Sequence, residues 1–179
     1  MQIIAGKFRG KRLEWVSNAT TRPTTNRVKE NIFNVLSSMG ADFNRVLVLF
    51  AGSGQMGLEC YSRGATEILF NDTSPEARKV IQKNCASLNI PPFPLNDLDY
   101  MKCLEKYKDR VFDIVFLDPP FADLSAAPNA ARYLRENGML AKNAVIVAET
   151  ESDDMQFPGF DVRVKTYGRA RIYFLKLCK

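Results

Sequence analysis

Residues 46–57 constrain this chain more than any other stretch. Five apolar residues at 46–50 run without interruption into a turn with glycines at 52, 54 and 57. A continuous apolar run that ends in a turn predicts a strand buried on both faces, as in a parallel sheet covered by helices. The G-x-G-x-x-G spacing and the helical pattern after it favour the first βα turn of a doubly wound sheet. The stretch therefore predicts a nucleotide-type cofactor site, although a tight structural turn has the same spacing. The residues expected to hold the cofactor are Phe50, Ala51, Gly52, Ser53 and Gly54.

Alternating strand and helix patterns fill the rest of the chain. Strands are predicted at 67–71, 93–95, 112–117 and 144–149, and the stretches 160–167 and 170–177 predict a closing hairpin about Gly168-Arg169. Three prolines at 91, 92 and 94 remove ladder donors, so the third strand is expected at a sheet edge. Residues 1–16 predict a hairpin, and a helix is expected from an N-cap at Thr24 or Thr25 to Gly40. The expected organisation is one domain, with an extension at 1–40 and a core at 41–179.

Acidic and amide side chains follow three of the predicted strands. Asp72 ends the second strand about 20 residues after the glycine loop, where a carboxylate can accept hydrogen bonds from a ribose. A helix cap is the alternative role for Asp72, and both roles can hold at once. Thr73 follows it as a further cofactor candidate. Asn96 and Asp97 follow the third strand and are candidates for an adenine amino group, although a plain turn explains them nearly as well. Asp118-Pro119-Pro120-Phe121 follows the fourth strand, and its prolines make the exit from the strand rigid.

Composition excludes several kinds of site. The chain has no histidine, which removes His-based metal sites and Ser-His-Asp or Cys-His catalysis. Its four cysteines are scattered, which favours reduced thiols in a cytoplasmic protein. No apolar run approaches about 20 residues, so neither a membrane span nor a signal peptide is expected.

Charge is segregated along the chain. Residues 1–45 hold eight Lys/Arg against three Asp/Glu, residues 46–159 hold eleven against sixteen, and residues 160–179 hold six against one. Basic ends on an acidic middle favour a polyanionic partner such as nucleic acid, although a solvated surface is the plain alternative. The candidate RNA contacts are cations of the extension: Lys7, Arg9, Lys11, Arg12, Arg22 and Arg27. Phe8 lies among them, where an aromatic ring would suit base stacking.

These residues together resemble a known family. The glycine loop at 50–54 followed by Asp118-Pro119-Pro120-Phe121 resembles the S-adenosylmethionine-dependent amino-methyltransferases. Residues 3–10, and 21–24 together with 27–30, extend the similarity to the RsmD family of bacterial 16S ribosomal RNA guanine-N2 methyltransferases. That family usually has an acidic residue in the first strand, where this chain has Val48.

The resemblance implies a fold and an activity. The expected fold is a Rossmann-like class I methyltransferase, with a mostly parallel seven-stranded sheet, helices on both faces and a C-terminal antiparallel hairpin. The expected activity is methyl transfer from S-adenosylmethionine to the N2 amine of a guanine, without a metal. Asp118 and the Pro119 carbonyl would hold the amine, Pro120 would stiffen the loop and Phe121 would stack on the base. Ribosomal RNA or the small-subunit particle is the implied substrate, with a monomer favoured.

Three other functions remain open from the sequence. The tetrapeptide also occurs in methyltransferases of DNA adenine and protein glutamine, and the basic extension favours nucleic acid over protein. A dinucleotide oxidoreductase would share the glycine loop but leaves the tetrapeptide unexplained. A non-catalytic RNA-binding relative is the third alternative, and the presence of Asp118 argues against it.

Overall fold

The computed structural model describes residues 1–16, 25–120 and 123–178. Its elements alternate in type up to the closing hairpin. In chain order they are α1 (Asn26–Ser38), β1 (Arg45–Val48), α2 (Gln55–Ser62), β2 (Glu67–Asn71), α3 (Pro75–Ser87), β3 (Leu95–Asn96), α4 (Tyr100–Lys106), β4 (Phe112–Leu117), α5 (Ala126–Glu136), β5 (Leu140–Thr150), β6 (Phe160–Tyr167) and β7 (Ala170–Leu177).

The strands form one seven-stranded sheet in the order β3-β2-β1-β4-β5-β7-β6. The first five strands in this order are parallel, whereas β7 pairs antiparallel with both β5 and β6. The strand order reverses at β1 and β4, so a crevice is expected between their carboxyl ends. This is the Rossmann-like class I methyltransferase fold that the sequence predicts.

Helices cover both faces of the sheet. On one face α1, α2 and α3 pack against side chains such as Val46, Phe70 and Phe116. On the other face α4 and α5 pack against the alternate positions, among them Leu47 and Val115. The strands are buried on both faces because successive side chains point in opposite directions, which explains their unbroken apolar runs.

Most predicted element boundaries agree with the structure to within a few residues. The closing hairpin has the predicted bounds, Thr25 caps α1 through a hydrogen bond from the Val28 amide, and β3 lies at the sheet edge. The largest difference is β5, which begins at Leu140 rather than at 144 because Leu140 pairs with Phe112 across a bulge.

The predicted N-terminal hairpin is not a regular pair of strands. Residues 1–16, called here the N-terminal arm, contain a single antiparallel bridge between Gln2 and Arg12. The amides of Ile4 and Ala5 donate to the Glu59 side chain of α2 instead of to a second strand. The arm is therefore a short hairpin, closed by amide-to-carbonyl bonds from Ile3 to Lys11 and from Leu13 to Met1, each at 2.9 Å, and its first limb also docks on the body.

Among the described residues, no helix combines the length and the apolar character that crossing a membrane requires.

Candidate active site

The glycine loop lies between β1 and α2 at the carboxyl edge of the sheet. The loop is anchored because the Ala51 amide donates to the Asn71 carbonyl of β2 at 2.9 Å. Gly52 and Gly54 have φ angles of 54° and 75°, which glycine adopts without a Cβ clash. A Cβ built on Gly52 would meet nothing within 4 Å. The loop backbone is therefore open to a ligand at this position.

The third glycine of the motif has a packing role. A Cβ on Gly57 would lie 2.4 Å from the ring of Phe70, so only glycine allows α2 to approach the sheet this closely. Gln55, at the start of the same helix, is buried. Its Oε1 receives no hydrogen bond within the part of the chain that the structure describes.

Asp72 stands where the sequence predicts it, directly after β2. One carboxylate oxygen accepts from the Gly52 amide at 2.7 Å, and the other accepts from the Ser74 amide at 2.9 Å. The residue thus ties the glycine loop to the start of α3, whose N-cap side chain is Ser74 rather than Asp72. Thr73 is exposed in the same connection, and its carbonyl accepts from Arg78 at 2.9 Å.

Two asparagines at the ends of neighbouring strands, Asn71 of β2 and Asn96 of β3, have structural roles. The Asn71 side chain donates to the Leu49 and Leu98 carbonyls at 3.1 and 2.9 Å, which holds together the loops that follow β1 and β3. Asn96 is buried, and its Oδ1 accepts from the Lys106 ammonium at 2.8 Å and from a tyrosine hydroxyl. The Asn96 side chain therefore has a structural role, and the predicted contact of Asn96 and Asp97 with an adenine stays a prediction. Asp97, the next residue, is exposed.

Asp118 and Glu149 occupy adjacent strand ends. Leu117 of β4 is in register with Ala148 of β5, so Asp118, directly after β4, comes next to Glu149, the second-last residue of β5. Desolvation by the surrounding protein, and then the negative charge of Glu149, raise the pKa of Asp118 well above its usual value. The Asp118 side chain is nevertheless exposed to solvent. Both the desolvation and the charge of Glu149 disfavour its ionised form, so both raise its pKa. Glu149 ends the strand predicted at 144–149, and no sequence pattern assigns it a role.

The rest of the tetrapeptide is described in part. Pro119 is buried and Pro120 is exposed, and the Pro120 carbonyl accepts from the Asp123 amide at 2.9 Å. The Asp123 carboxylate accepts from two amides at the start of α5. Phe121, the predicted stacking ring, lies outside the described residues.

Four predicted RNA contacts project from the N-terminal arm. Lys7, Arg9, Lys11 and Arg12 are all exposed, as is Arg27 in the first turn of α1. Phe8 is packed instead against Tyr61, with ring centroids 5.9 Å apart, so its expected stacking on a base is not supported. Arg22 lies outside the described residues.

A buried ionic network docks the arm on the body. Lys29 of α1 and Glu59 of α2 are both fully buried, with Nζ and Oε2 3.2 Å apart. The ammonium also donates to the Gln2 carbonyl at 2.7 Å, and Arg63 pairs with the other Glu59 oxygen at 3.0 Å. Burial lowers the pKa of Lys29, and the adjacent Glu59 carboxylate partly offsets that effect. Lys29 is therefore a structural cation, although it belongs to the basic sequence of the extension.

Ser62 and Asn84 complete the docking. Ser62 accepts from the Lys7 amide through its carbonyl at 2.8 Å and from the Phe8 amide through its hydroxyl at 2.9 Å. Asn84 is buried in α3 and donates to the Glu14 and Ser53 carbonyls, each at 3.0 Å. One side chain therefore connects the arm to the glycine loop. Sequence patterns do not reveal this role, because a helical asparagine is usually a surface residue.

Within the described ranges, no group of three or more His, Cys, Asp or Glu residues is arranged to hold a metal ion.

Comparisons with known proteins agree with this geometry. The family described as "Conserved hypothetical protein 95" matches residues 1–176. The ribosomal RNA small subunit methyltransferase D of Haemophilus influenzae is 37% identical over 158 residues, covering 86% of this chain and 80% of that protein. The Escherichia coli protein of the same name is 34% identical over 154 residues, covering 86% and 76%.

Structural similarity extends over the whole length. The solved structure of the Escherichia coli protein yhhF superposes with a TM-score of 0.83 at 30% identity, covering 100% of this chain and 99% of that one. The family match, the two relatives and the fold lead to one conclusion: the chain belongs to the RsmD family of methyltransferases.

Proposed function

We propose that this protein transfers a methyl group from S-adenosylmethionine to the exocyclic N2 amine of a guanine in 16S ribosomal RNA. The observation that carries the proposal is the position of Asp118, which leaves β4 beside the strand that leads into the glycine loop. This arrangement brings a carboxylate with a raised pKa to the edge where the cofactor loop opens. The relatives named ribosomal RNA small subunit methyltransferase D support RNA as the substrate.

The residues at the glycine loop fit S-adenosylmethionine. Open space above Gly52 leaves room for a ligand, and the unpartnered Gln55 Oε1 is an acceptor that a ligand donor would satisfy. The Asp72 carboxylate can exchange its bond with the Gly52 amide for bonds from ribose hydroxyls. Asp97 would meet the adenine amino group. When bound, S-adenosylmethionine supplies a methyl group on a positively charged sulfur.

Asp118 would prepare the guanine amine for reaction. The lone pair of that amine is delocalised into the base, which makes it a poor nucleophile. Hydrogen bonds from the amine to the Asp118 carboxylate and the Pro119 carbonyl would favour tetrahedral geometry at nitrogen. The raised pKa of Asp118 also suits it to accept the proton that the amine loses. Orientation of this kind can supply roughly 7–11 kcal/mol.

The N-terminal arm and the residues around Asp118 would recognise different parts of the RNA substrate. The arm cations would contact phosphates, and each contact contributes about 0.7–0.9 to the slope of log affinity against log salt. Arg22 and Arg27 would touch the target nucleotide, and Phe121 would stack on the extruded base. The proposed setting is a cytoplasmic monomer that acts on the small-subunit RNA or particle.

Nucleoside analysis tests the proposal. 16S RNA from cells that lack the protein is incubated with S-adenosylmethionine and the purified protein, and its nucleosides are resolved by mass spectrometry. N2-methylguanosine is expected from the wild type, whereas Asp118→Ala should give no product and bind S-adenosylmethionine within a few-fold of the wild type. Methylation of DNA or of another base in place of guanine N2 would refute the assignment. Equal turnover by Asp118→Ala would remove that residue from the mechanism.

A further inference from the structure

A groove lies between α1 and the edge strand β6, apart from the cofactor loop. Its volume is about 430 Å³, and it is lined by Asn31, Asn34, Val35, Ser38, Lys165 and Tyr167. Its lining combines amides, a hydroxyl, a cation and an aromatic ring.

The two walls of the groove present regular sets of side chains. On α1, Arg27, Asn31, Asn34 and Ser38 follow helical spacing and form one stripe. On β6, strand alternation places Arg163, Lys165 and Tyr167 on the sheet face that carries α1. The groove is therefore built into two regular elements.

One end of the groove lies at the carboxyl edge of the parallel strands, the edge that also carries the candidate active site. The C-terminal end of α1 lies near the amino edge of the parallel strands, because the Lys176 ammonium donates to the Met39 carbonyl at 2.8 Å. The opposite end of β6, at Tyr167, extends past Thr150 at the carboxyl end of β5, since both strands pair with β7. Arg27 stands one turn before Asn31 and so lies at the end of the groove closer to Asp118.

The charge of these walls favours an anion. Arg27, Arg163 and Lys165 are exposed, and in the described part of the structure none of them forms a salt bridge. The acidic residues of α1 and β6 are Glu30 and Asp161, and Asp161 lies at the far end of β6, paired in register with Lys176. Lys165 thus contributes a cation to the lining, and Arg27 and Arg163 continue the α1 and β6 walls beyond it, whereas residues 46–159 are net acidic.

We propose that the groove between α1 and β6 binds a single-stranded segment of the RNA substrate, with Lys165 on a phosphate and Tyr167 against a base. Asn31 and Asn34 would donate and accept hydrogen bonds at base edges or sugar hydroxyls. This inference rests on the proposed function. It adds a second contact surface, separate from the N-terminal arm, on the path to the target nucleotide.

Equilibrium measurements of RNA binding test the groove independently of catalysis. Unmethylated 16S RNA is titrated with Lys165→Gln, Tyr167→Leu and Tyr167→Phe at several salt concentrations, without S-adenosylmethionine. Lys165→Gln should lower the salt slope by about 0.7–0.9. Tyr167→Leu should weaken binding roughly 5- to 150-fold, whereas Tyr167→Phe keeps the ring and should bind like the wild type. Lys108→Gln is the charge-matched control, since Lys108 is exposed just after α4, on the other face of the sheet.

The outcomes distinguish this inference from the proposed function. If both Lys165→Gln and Tyr167→Leu bind RNA with wild-type affinity and salt slope, RNA binding in the groove is refuted, even if the wild type methylates guanine. Loss of RNA affinity in these variants supports the groove, even if the methylated base differs from the proposal. Normal binding of naked RNA with lost activity only on the small-subunit particle would assign the groove to a protein of the particle and refute an RNA contact. Unchanged S-adenosylmethionine affinity and melting temperature show that each variant is folded.

Discussion

Replacing Glu59 with glutamine tests how the N-terminal arm is held. The Glu59 carboxylate accepts from the Ile4 and Ala5 amides at 2.9 and 3.0 Å and pairs with Lys29 and Arg63 at 3.2 and 3.0 Å. Glutamine has nearly the same shape but no charge, and only one of its two terminal groups can accept. The substitution therefore leaves the buried Lys29 ammonium without a counter-charge and turns a donor toward one backbone amide.

The expected loss of stability is large. Breaking a buried ion pair by removing one partner costs about 3–5 kcal/mol, because the remaining charge is neither solvated nor paired. Typical domains are stable by about 5–15 kcal/mol, so Glu59→Gln should remove a substantial share of the free energy of unfolding. Lys29→Met should cost less, since Glu59 would keep Arg63 and both amide donors.

Urea unfolding measures both variants, and Glu67→Gln is the matched control. Glu67 pairs with Arg110 at 3.0 Å, but both side chains are 59% exposed. Exposed pairs contribute about 0–1 kcal/mol, so the control should barely shift the unfolding midpoint. A loss below about 1 kcal/mol in Glu59→Gln, equal to the control, would refute the reasoning. If Glu59→Gln does not fold, the smaller loss expected for Lys29→Met still tests the network.

Three further outcomes are expected. Asp118 must be ionised to accept hydrogen bonds from the amine, so kcat/KM should rise with pH through its raised pKa. Glu149→Gln removes a negative charge and should lower the pKa of Asp118, so the rise of kcat/KM should occur at lower pH. Initial rates measured across pH test this, and an unchanged pH profile would contradict the interaction between Asp118 and Glu149. Asp72→Ala should weaken S-adenosylmethionine binding at least tenfold, about 1.4 kcal/mol, and equal affinity by calorimetry would mean that the ribose is held elsewhere. Gly6→Ala places a Cβ 1.7 Å from the Ser62 carbonyl oxygen at a φ of 80°, so the arm should undock and RNA affinity should fall. S-adenosylmethionine affinity should not change in Gly6→Ala, and its loss would show that the damage is not confined to the arm.

The sequence alone was sufficient for the catalytic scaffold. The strand before the glycine loop, the loop itself and the position of Asp72 follow from local patterns, because periodicity and glycine conformation depend on neighbouring residues. Three prolines excluded the third strand from the sheet interior, and the structure places it at the edge. The closing hairpin was predictable for the same reason, since strand alternation and a Gly-Arg turn are local signals.

Tertiary structure decided what each polar side chain does. Lys29 looks like one more cation of a basic segment, and only its burial against Glu59 shows that it docks the arm. The sequence gives no sign that the Asn96 side chain accepts hydrogen bonds from Lys106 and Tyr107, because those residues follow it by 10 and 11 positions. The neighbourhood of Asp118 and Glu149, 31 positions apart in sequence, depends on the register of two parallel strands. Hydrogen bonds, charge pairing and burial connect residues that are distant in the chain. A sequence pattern therefore identifies candidate functional residues, whereas the folded structure determines which role each of them has.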